Sequence, residues 1–204
     1  MIAHSPSTGK VWFSESGNPT GAMLAALDLK TDQITRYKIQ GRYGIEVISN
    51  GNVVFFDFGH AAVGELDPKT GKSILYPTPT PASAPRRGHV DAQDRVWFAE
   101  YWAGKVAMFD PNTKQIKEWP ISVPYADPYD AVADKNGDVW SGGMVTDYVF
   151  RLNPATGQVT NYLMPTLNAN IRRIDVDSST TPVSVWVGEN HHPTILRVEP
   201  LVGK

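Results

Sequence analysis

The chain of 204 residues contains no cysteine. Disulfides, thiolate nucleophiles and Cys-ligated zinc are therefore excluded, and the redox compartment stays open. No apolar run approaches the roughly 18 residues that cross a bilayer, so no membrane span is expected. The opening residues, MIAHSP, carry neither the charged nor the apolar region of a signal peptide. Neither sign of charge prevails: 19 Lys and Arg face 21 Asp and Glu, a net charge of −2. A globally basic nucleic-acid binder is thereby excluded. A sustained 3.6-residue apolar period is missing, while 17 Gly and 16 Pro punctuate the chain, which rules out an all-helical protein. Also missing are the Gly-x-Ser-x-Gly elbow, the phosphate-cradling Gly-x-x-x-x-Gly-Lys loop and the His-Glu-x-x-His zinc pattern.

What is present is a repeat. Segments 10–13 (KVWF), 52–55 (NVVF), 95–98 (RVWF), 138–141 (DVWS) and 184–187 (SVWV) align, with central positions 12, 54, 97, 140 and 186 spaced 42, 43, 43 and 46. Four of the six tryptophans stand there. A second landmark follows each: Leu27-Asp28, Leu66-Asp67-Pro68, Phe109-Asp110-Pro111, Leu152-Asn153-Pro154 and Val198-Glu199-Pro200. A third closes the unit on an aromatic residue and proline, as in Tyr76-Pro77 and Trp119-Pro120. Each unit reads as four short strands, A to D, rich in Val, Ile, Phe, Trp and Tyr. In the third unit these fall around Gly88–Ala92, Arg95–Ala99, Lys105–Phe109 and Gln115–Trp119, with a turn at Gln93-Asp94. Asp-Pro-x-Thr-Gly is a turn in which Pro presets φ and Gly accepts a positive one. A four-stranded repeat of about 43 residues is a β-propeller blade, and its repeated Trp and Phe should fill the layers between blades.

The expected fold is therefore an all-β propeller of four-stranded blades, four blades plus most of a fifth. The blades run approximately over 1–44, 45–87, 88–130, 131–169 and 170–204. The incomplete ring exposes sheet edges, which predicts pairing between copies of the chain or aggregation. The PTPTPASAP run at 77–85 should be a stiff, polyproline-like connection on the rim.

In such a fold the D–A and B–C loops form one rim of the central channel and the A–B and C–D turns the other. Of nine arginines, Arg42, Arg86, Arg87, Arg172 and Arg173 lie at D–A junctions; Lys10, Lys30, Lys69, Lys72, Lys114 and Lys135 lie at the opposite turns. Arginines gathered at a mouth suit carboxylate, phosphate or aromatic faces. The plain alternative is pairing with the blade carboxylates Asp57, Glu100 and Glu189. Tyr43, Arg86, Tyr129 and Arg172 recur every 43 residues, each at the start of a strand A. Fourteen residues after the first three come Asp57, Glu100 and Gly143, with Glu15 and Glu189 at equivalent places. A ring of alternating Tyr and Arg beside a ring of carboxylates is expected at the mouth. His60, His191 and His192 belong to B–C loops on this rim, and His89 lies inside a strand A. With Glu100, Glu189 and His89, His191 suggests a general-base or metal site.

The Val-Trp-Phe-x-Glu segment, the Asp-Pro-x-Thr-Gly turn and the aromatic-Pro close resemble the streptogramin B (virginiamycin B) lyase-like propeller family over nearly the whole chain. That resemblance implies seven blades, of which this chain would form a C-terminal part, and a periplasmic or secreted location. It also implies a Mg²⁺-dependent carbon–oxygen lyase, in which the metal stabilises an enolate while a His takes the α-proton. Glu100 and Glu15 match the family's Glu; Glu100 and Glu189 are the candidate metal or acid/base carboxylates. In that family a His opens strand A; the corresponding positions here are Tyr43, Arg86, Tyr129 and Arg172. Arg86 and Arg172 would then hold an anionic or carbonyl oxygen, and Tyr129 would stack on the ligand or donate a proton. The expected partner is a small anionic or ester molecule bound at the Arg/Tyr/Glu rim. Two other readings stand beside it: a non-catalytic propeller binding a protein or glycan, and a gluconolactonase-like metal hydrolase.

Overall fold

The computed structural model describes residues 1–5, 8–15, 21–41 and 43–201. Among them there is no helix. The strands form five antiparallel sheets in chain order. The first holds β1 (Ile2–Ser5), β2 (Lys10–Glu15), β3 (Met23–Asp28) and β4 (Ile34–Lys38), and the second β5 (Ile45–Val47), β6 (Val53–Asp57), β7 (Ala62–Asp67) and β8 (Lys72–Pro77). The third holds β9 (Pro85–Val90), β10 (Val96–Glu100), β11 (Lys105–Asp110) and β12 (Gln115–Pro120). The fourth holds β13 (Pro128–Ala133), β14 (Val139–Gly143), β15 (Tyr148–Asn153) and β16 (Gln158–Leu163). The fifth has three strands, β17 (Ile171–Asp177), β18 (Ser184–Glu189) and β19 (Ile195–Val198). Each sheet pairs only consecutive strands, so each is a meander, and successive sheets pack face to face as propeller blades.

Four apolar layers join the five blades. Trp12, Leu24 and Phe55 fill the first layer; Phe56, Phe98 and Phe109 the second; Trp97, Val106 and Leu152 the third; Trp140, Ile174 and Val187 the fourth. Burying each large side chain contributes about 2–3 kcal/mol. The indole N–H groups are also satisfied: Trp97 donates to Asp91 at 2.8 Å and Trp140 to Asp134 at 2.9 Å. Trp186 departs from the expected layer filling. It is 43% exposed, because its side of the fifth blade has no further described blade against it.

The C–D turns repeat as read. Asp67 Oδ1 accepts from the Lys69 amide and Asp110 Oδ1 from Asn112, each at 2.8 Å. Gly71 and Gly157 take positive φ of 71° and 74°, whereas the third blade places Lys114 there at 60°. Strand A of the third blade differs from the sequence reading. It starts at Pro85 rather than near Gly88, because a register shift pairs Pro85 with Glu100. Arg86 and Arg87 therefore sit on the strand itself. So do Tyr129 on β13 and Arg172 and Arg173 on β17. The 77–85 connection is not polyproline-like. Ala82 and Ala84 adopt φ of 53° and 57°, as do Tyr125 and Asp127 (53° and 43°) and Asn168 and Asn170 (58° and 54°) one and two repeats later. All three connections thus turn the same way into strand A.

Candidate functional site

The second to fifth blades each place one residue at or just before the innermost strand, on the channel wall. Tyr43 precedes β5, Arg86 lies on β9, Tyr129 on β13 and Arg172 on β17. The structure brings these four together. The Arg86 guanidinium donates to the phenol oxygens of Tyr43 and Tyr129 at 2.7 and 3.1 Å, and the two phenols are hydrogen-bonded to each other. Its carbon also lies 4.1–5.0 Å from the ring centres of Tyr101, Tyr129, Phe58 and Tyr43. Four rings thus form a cage around Arg86, a geometry in which cation–π attraction adds to hydrogen bonding. Burial pushes the Tyr43 phenol above its ordinary pKa, the bond to Tyr129 adds to this, and Arg86 pulls the other way.

Arg87 and Arg172 stand over Tyr129 as well, at 5.2 and 5.9 Å from its centre. Arg87 donates to the Arg172 carbonyl at 3.3 Å, and Arg172 to Asn170 Oδ1 at 2.7 Å. Arg86, Arg87 and Arg172 have no carboxylate ion-pair partner among the described residues, and Nε of both Arg86 and Arg87 is buried without a hydrogen bond. Arg173 differs, with Nε 4.0 Å from Asp130 Oδ2. Arg42 lies outside the described residues.

A mixed cluster lies further along the same strands. His89 Nε2 is 3.2 Å from Asp130 Oδ1, and His89 Nδ1 is 3.8 Å from Glu46 Oε1. Asp130 is 1% exposed, and its Oδ2 has no hydrogen bond. Burial opposes charge on the His89 ring, but Asp130 and Glu46 outweigh it and hold its pKa above the ordinary value. Burial pushes Glu46 up to about 7, against the pull of His89.

The carboxylate row takes a different place from the one expected. Glu100 is 0% exposed, enclosed beneath the connection that carries Ser83, and neither oxygen is hydrogen-bonded. Burial raises it to about 8; Glu118 adds to this, while Ser83 and Lys105 lower it. Glu118 itself pairs with Lys105 at 2.6 Å. Asp57 accepts from the His60 amide at 3.1 Å and meets His60 Nδ1 at 2.7 Å. Glu189 is buried and accepts from the Thr194 hydroxyl, and Glu15 pairs with Arg36 at 3.0 Å. Each of these carboxylates is engaged or enclosed within its own blade's strand-end region and does not form a ring at the mouth. His191 and His192 tie their loop to the carbonyls of Asn168 and Leu167 at 3.2 and 3.1 Å, away from Glu100. No group of three or more His, Cys, Asp or Glu side chains able to hold a metal exists among the described residues. Among the described residues, then, no ready-made cluster of three such ligands stands for the Mg²⁺ that the resemblance implies.

Sequence reasoning passed over Glu46, Asp130, Phe58, Tyr101 and Trp102. A signal existed for two of them. Arg87, Asp130 and Arg173 are spaced 43 and 43, and Glu46 and His89 are 43 apart. The opposite rim has clefts of about 400 and 470 Å³ between the third and fourth blades. On this rim Arg95 pairs with Asp91 and Arg151 with Asp138.

The fold is a partial β-propeller of the kind seen in streptogramin B lyase structures. A catalytically inactive His-to-Ala variant of virginiamycin B lyase from Staphylococcus aureus, solved with quinupristin, matches with a TM-score of 0.82 at 22% identity, over 94% of this chain and 63% of that one. A streptogramin B lyase structure matches at 0.78 and 24%, over 97% and 67%. An auxiliary nutrient binding protein from Bacteroides ovatus matches at 0.67 and 10%, over 96% and 53%. The chain spans about two thirds of the lyase chains it resembles. No protein-family model and no curated protein matches the sequence.

Proposed function

We propose that this propeller binds a small anion, a carboxylate or phosphate, at the channel wall formed by Arg86, Arg87 and Arg172. One observation carries this reading: three guanidinium groups surround one buried phenol, Tyr129, with no carboxylate ion-pair partner among the described residues. Three guanidinium groups at a partly buried site need more negative charge than Asp127, whose raised carboxyl pKa Arg86 pulls back, and a bound anion would supply it. Planar, bidentate contacts of arginine suit carboxylate and phosphate oxygens. Tyr129 and Arg86 brace one another, so the donors are held before a ligand arrives.

A catalytic reading rests on His89, whose ring stands 3.2 Å from buried Asp130 as a general base would. The Staphylococcus aureus lyase is inactive when a His is changed to Ala. Here the strand-A starts that match the family's His carry Tyr and Arg, so binding is the better supported activity of these residues. Titration calorimetry with acetate and inorganic phosphate, on the wild type and on Arg87→Met, tests the reading. Binding weakened about tenfold or more by the substitution supports it. Heats indistinguishable from dilution with both anions, on a folded wild type, would overturn it.

A further inference from the structure

The ring system around Arg86 continues outward. Phe58, in the second blade's B–C loop, lies 6.0 Å from Tyr43 and 4.9 Å from Trp102, which it meets edge to face. Trp102, in the third blade's B–C loop, is 62% exposed, unlike the buried Trp97 five residues before it. An isolated exposed tryptophan would need no explanation. This one is the outer end of a continuous aromatic wall that ends on the guanidinium cage. On the other side Tyr101 contacts Tyr129 at 6.1 Å, and Tyr125, 86% exposed, lies on the adjoining connection.

The cage cannot serve an external cation, because Arg86 already occupies it. A choline-like or methyl-lysine ligand is thereby excluded. What remains available is the outer aromatic surface of Trp102 and Phe58 beside a guanidinium that has no ion pair among the described residues. The Trp102 ring lies at most about 10 Å from the Arg86 guanidinium, by steps of 4.9 and 4.7 Å through Phe58. The geometry points to an aryl anion as the ligand class: an aromatic ring stacked on Trp102 and Phe58, joined by an arm to a carboxylate or phosphate held at the Arg86 end of the arginine wall. This rests on the anion-binding reading and narrows it. Stacking on an exposed tryptophan adds affinity beyond that of the charge alone.

The test compares 1-naphthylacetate, acetate and glucuronate by calorimetry on the wild type, Trp102→Ala and Trp102→Phe. Naphthylacetate is expected to bind at least tenfold more tightly than acetate. Trp102→Ala should remove most of that preference and leave acetate unchanged, and Trp102→Phe should restore part of it. Acetate binding as tightly as naphthylacetate, or an unchanged preference in Trp102→Ala, would overturn the aryl class while leaving anion binding standing. Glucuronate binding more tightly than naphthylacetate would replace the aryl ring with a sugar. Failure of all three ligands on the wild type would overturn both readings together.

Discussion

Tyr43 and Tyr129 stand 86 residues apart in the chain, yet their phenol groups are hydrogen-bonded to each other over Arg86. The second and fourth blades thus meet through side chains across the innermost strand of the third. A phenol pair sharing one guanidinium is a small network, and its members should not behave independently.

Tyr129→Phe should cost about 1 kcal/mol of stability, the net worth of a buried hydrogen bond. Combined with Arg86→Met, the loss should fall short of the sum of the single losses by roughly 0.5–1 kcal/mol. Urea denaturation of the four species measures the coupling. Strict additivity would show that the phenol and the guanidinium are merely neighbours.

Glu100 makes stability depend on pH. Its folded pKa of about 8 lies above its ordinary value of 4.5, so the neutral acid favours the fold. That stability is complete below about pH 4.5 and is lost as pH rises towards 8. Glu100→Gln should melt close to the wild type at pH 4.5. Above pH 8 it should be the more stable protein, by on the order of 2 kcal/mol. Calorimetric melting across this range decides it. A gap that does not change with pH would mean that Glu100 is charged in the fold.

Gly88 and Gly157 separate two reasons for a glycine. A Cβ on Gly88 would meet the Trp97 carbonyl oxygen at 1.8 Å, a backbone atom that cannot move aside. A Cβ on Gly157 meets nothing within 4 Å, and only its φ of 74° opposes substitution. Gly88→Ala should therefore cost more than about 3 kcal/mol, and Gly157→Ala about 1 kcal/mol. Equal losses in denaturant would show that the inner strand can widen.

Asp130 and Glu46 hold the His89 pKa up against burial. Asp130→Asn should lower the His89 titration midpoint in NMR spectra. His89 contributes stability while charged, at low pH, and loses it as pH rises through its raised folded value. The deficit of Asp130→Asn against the wild type should accordingly grow on acidification from pH 8 to pH 6. A midpoint that stays in place would mean that Glu46 alone sustains the charge.

The repeat of about 43 residues carried most of the fold, because each blade uses the same turn and layer chemistry at the same offsets. Asp67 and Asp110 brace their turns alike, and Trp97 and Trp140 both bond an aspartate six residues earlier. The row from Tyr43 to Arg172 was legible for the same reason. The carboxylate row was legible in position but not in environment. Nothing in the spacing of Glu100 tells that the chain around Ser83 covers it, since burial depends on how a connection folds back. The 77–85 run misled because five alternating prolines and polar residues look extended, whereas Ala82 and Ala84 take left-handed conformations. Trp102 was overlooked because it falls outside the Trp repeat, and only the contact with Phe58 joins it to the cage.

The order Tyr, Arg, Tyr, Arg at the strand-A starts has a period of two blades, twice that of the backbone. The smallest segment that can be duplicated, deleted or transplanted with the pattern of charges intact is therefore a pair of blades, about 86 residues. Gain or loss of one internal blade would keep the meander of each sheet yet set Tyr beside Tyr or Arg beside Arg, uncoupling the recombination of the scaffold from that of its chemistry.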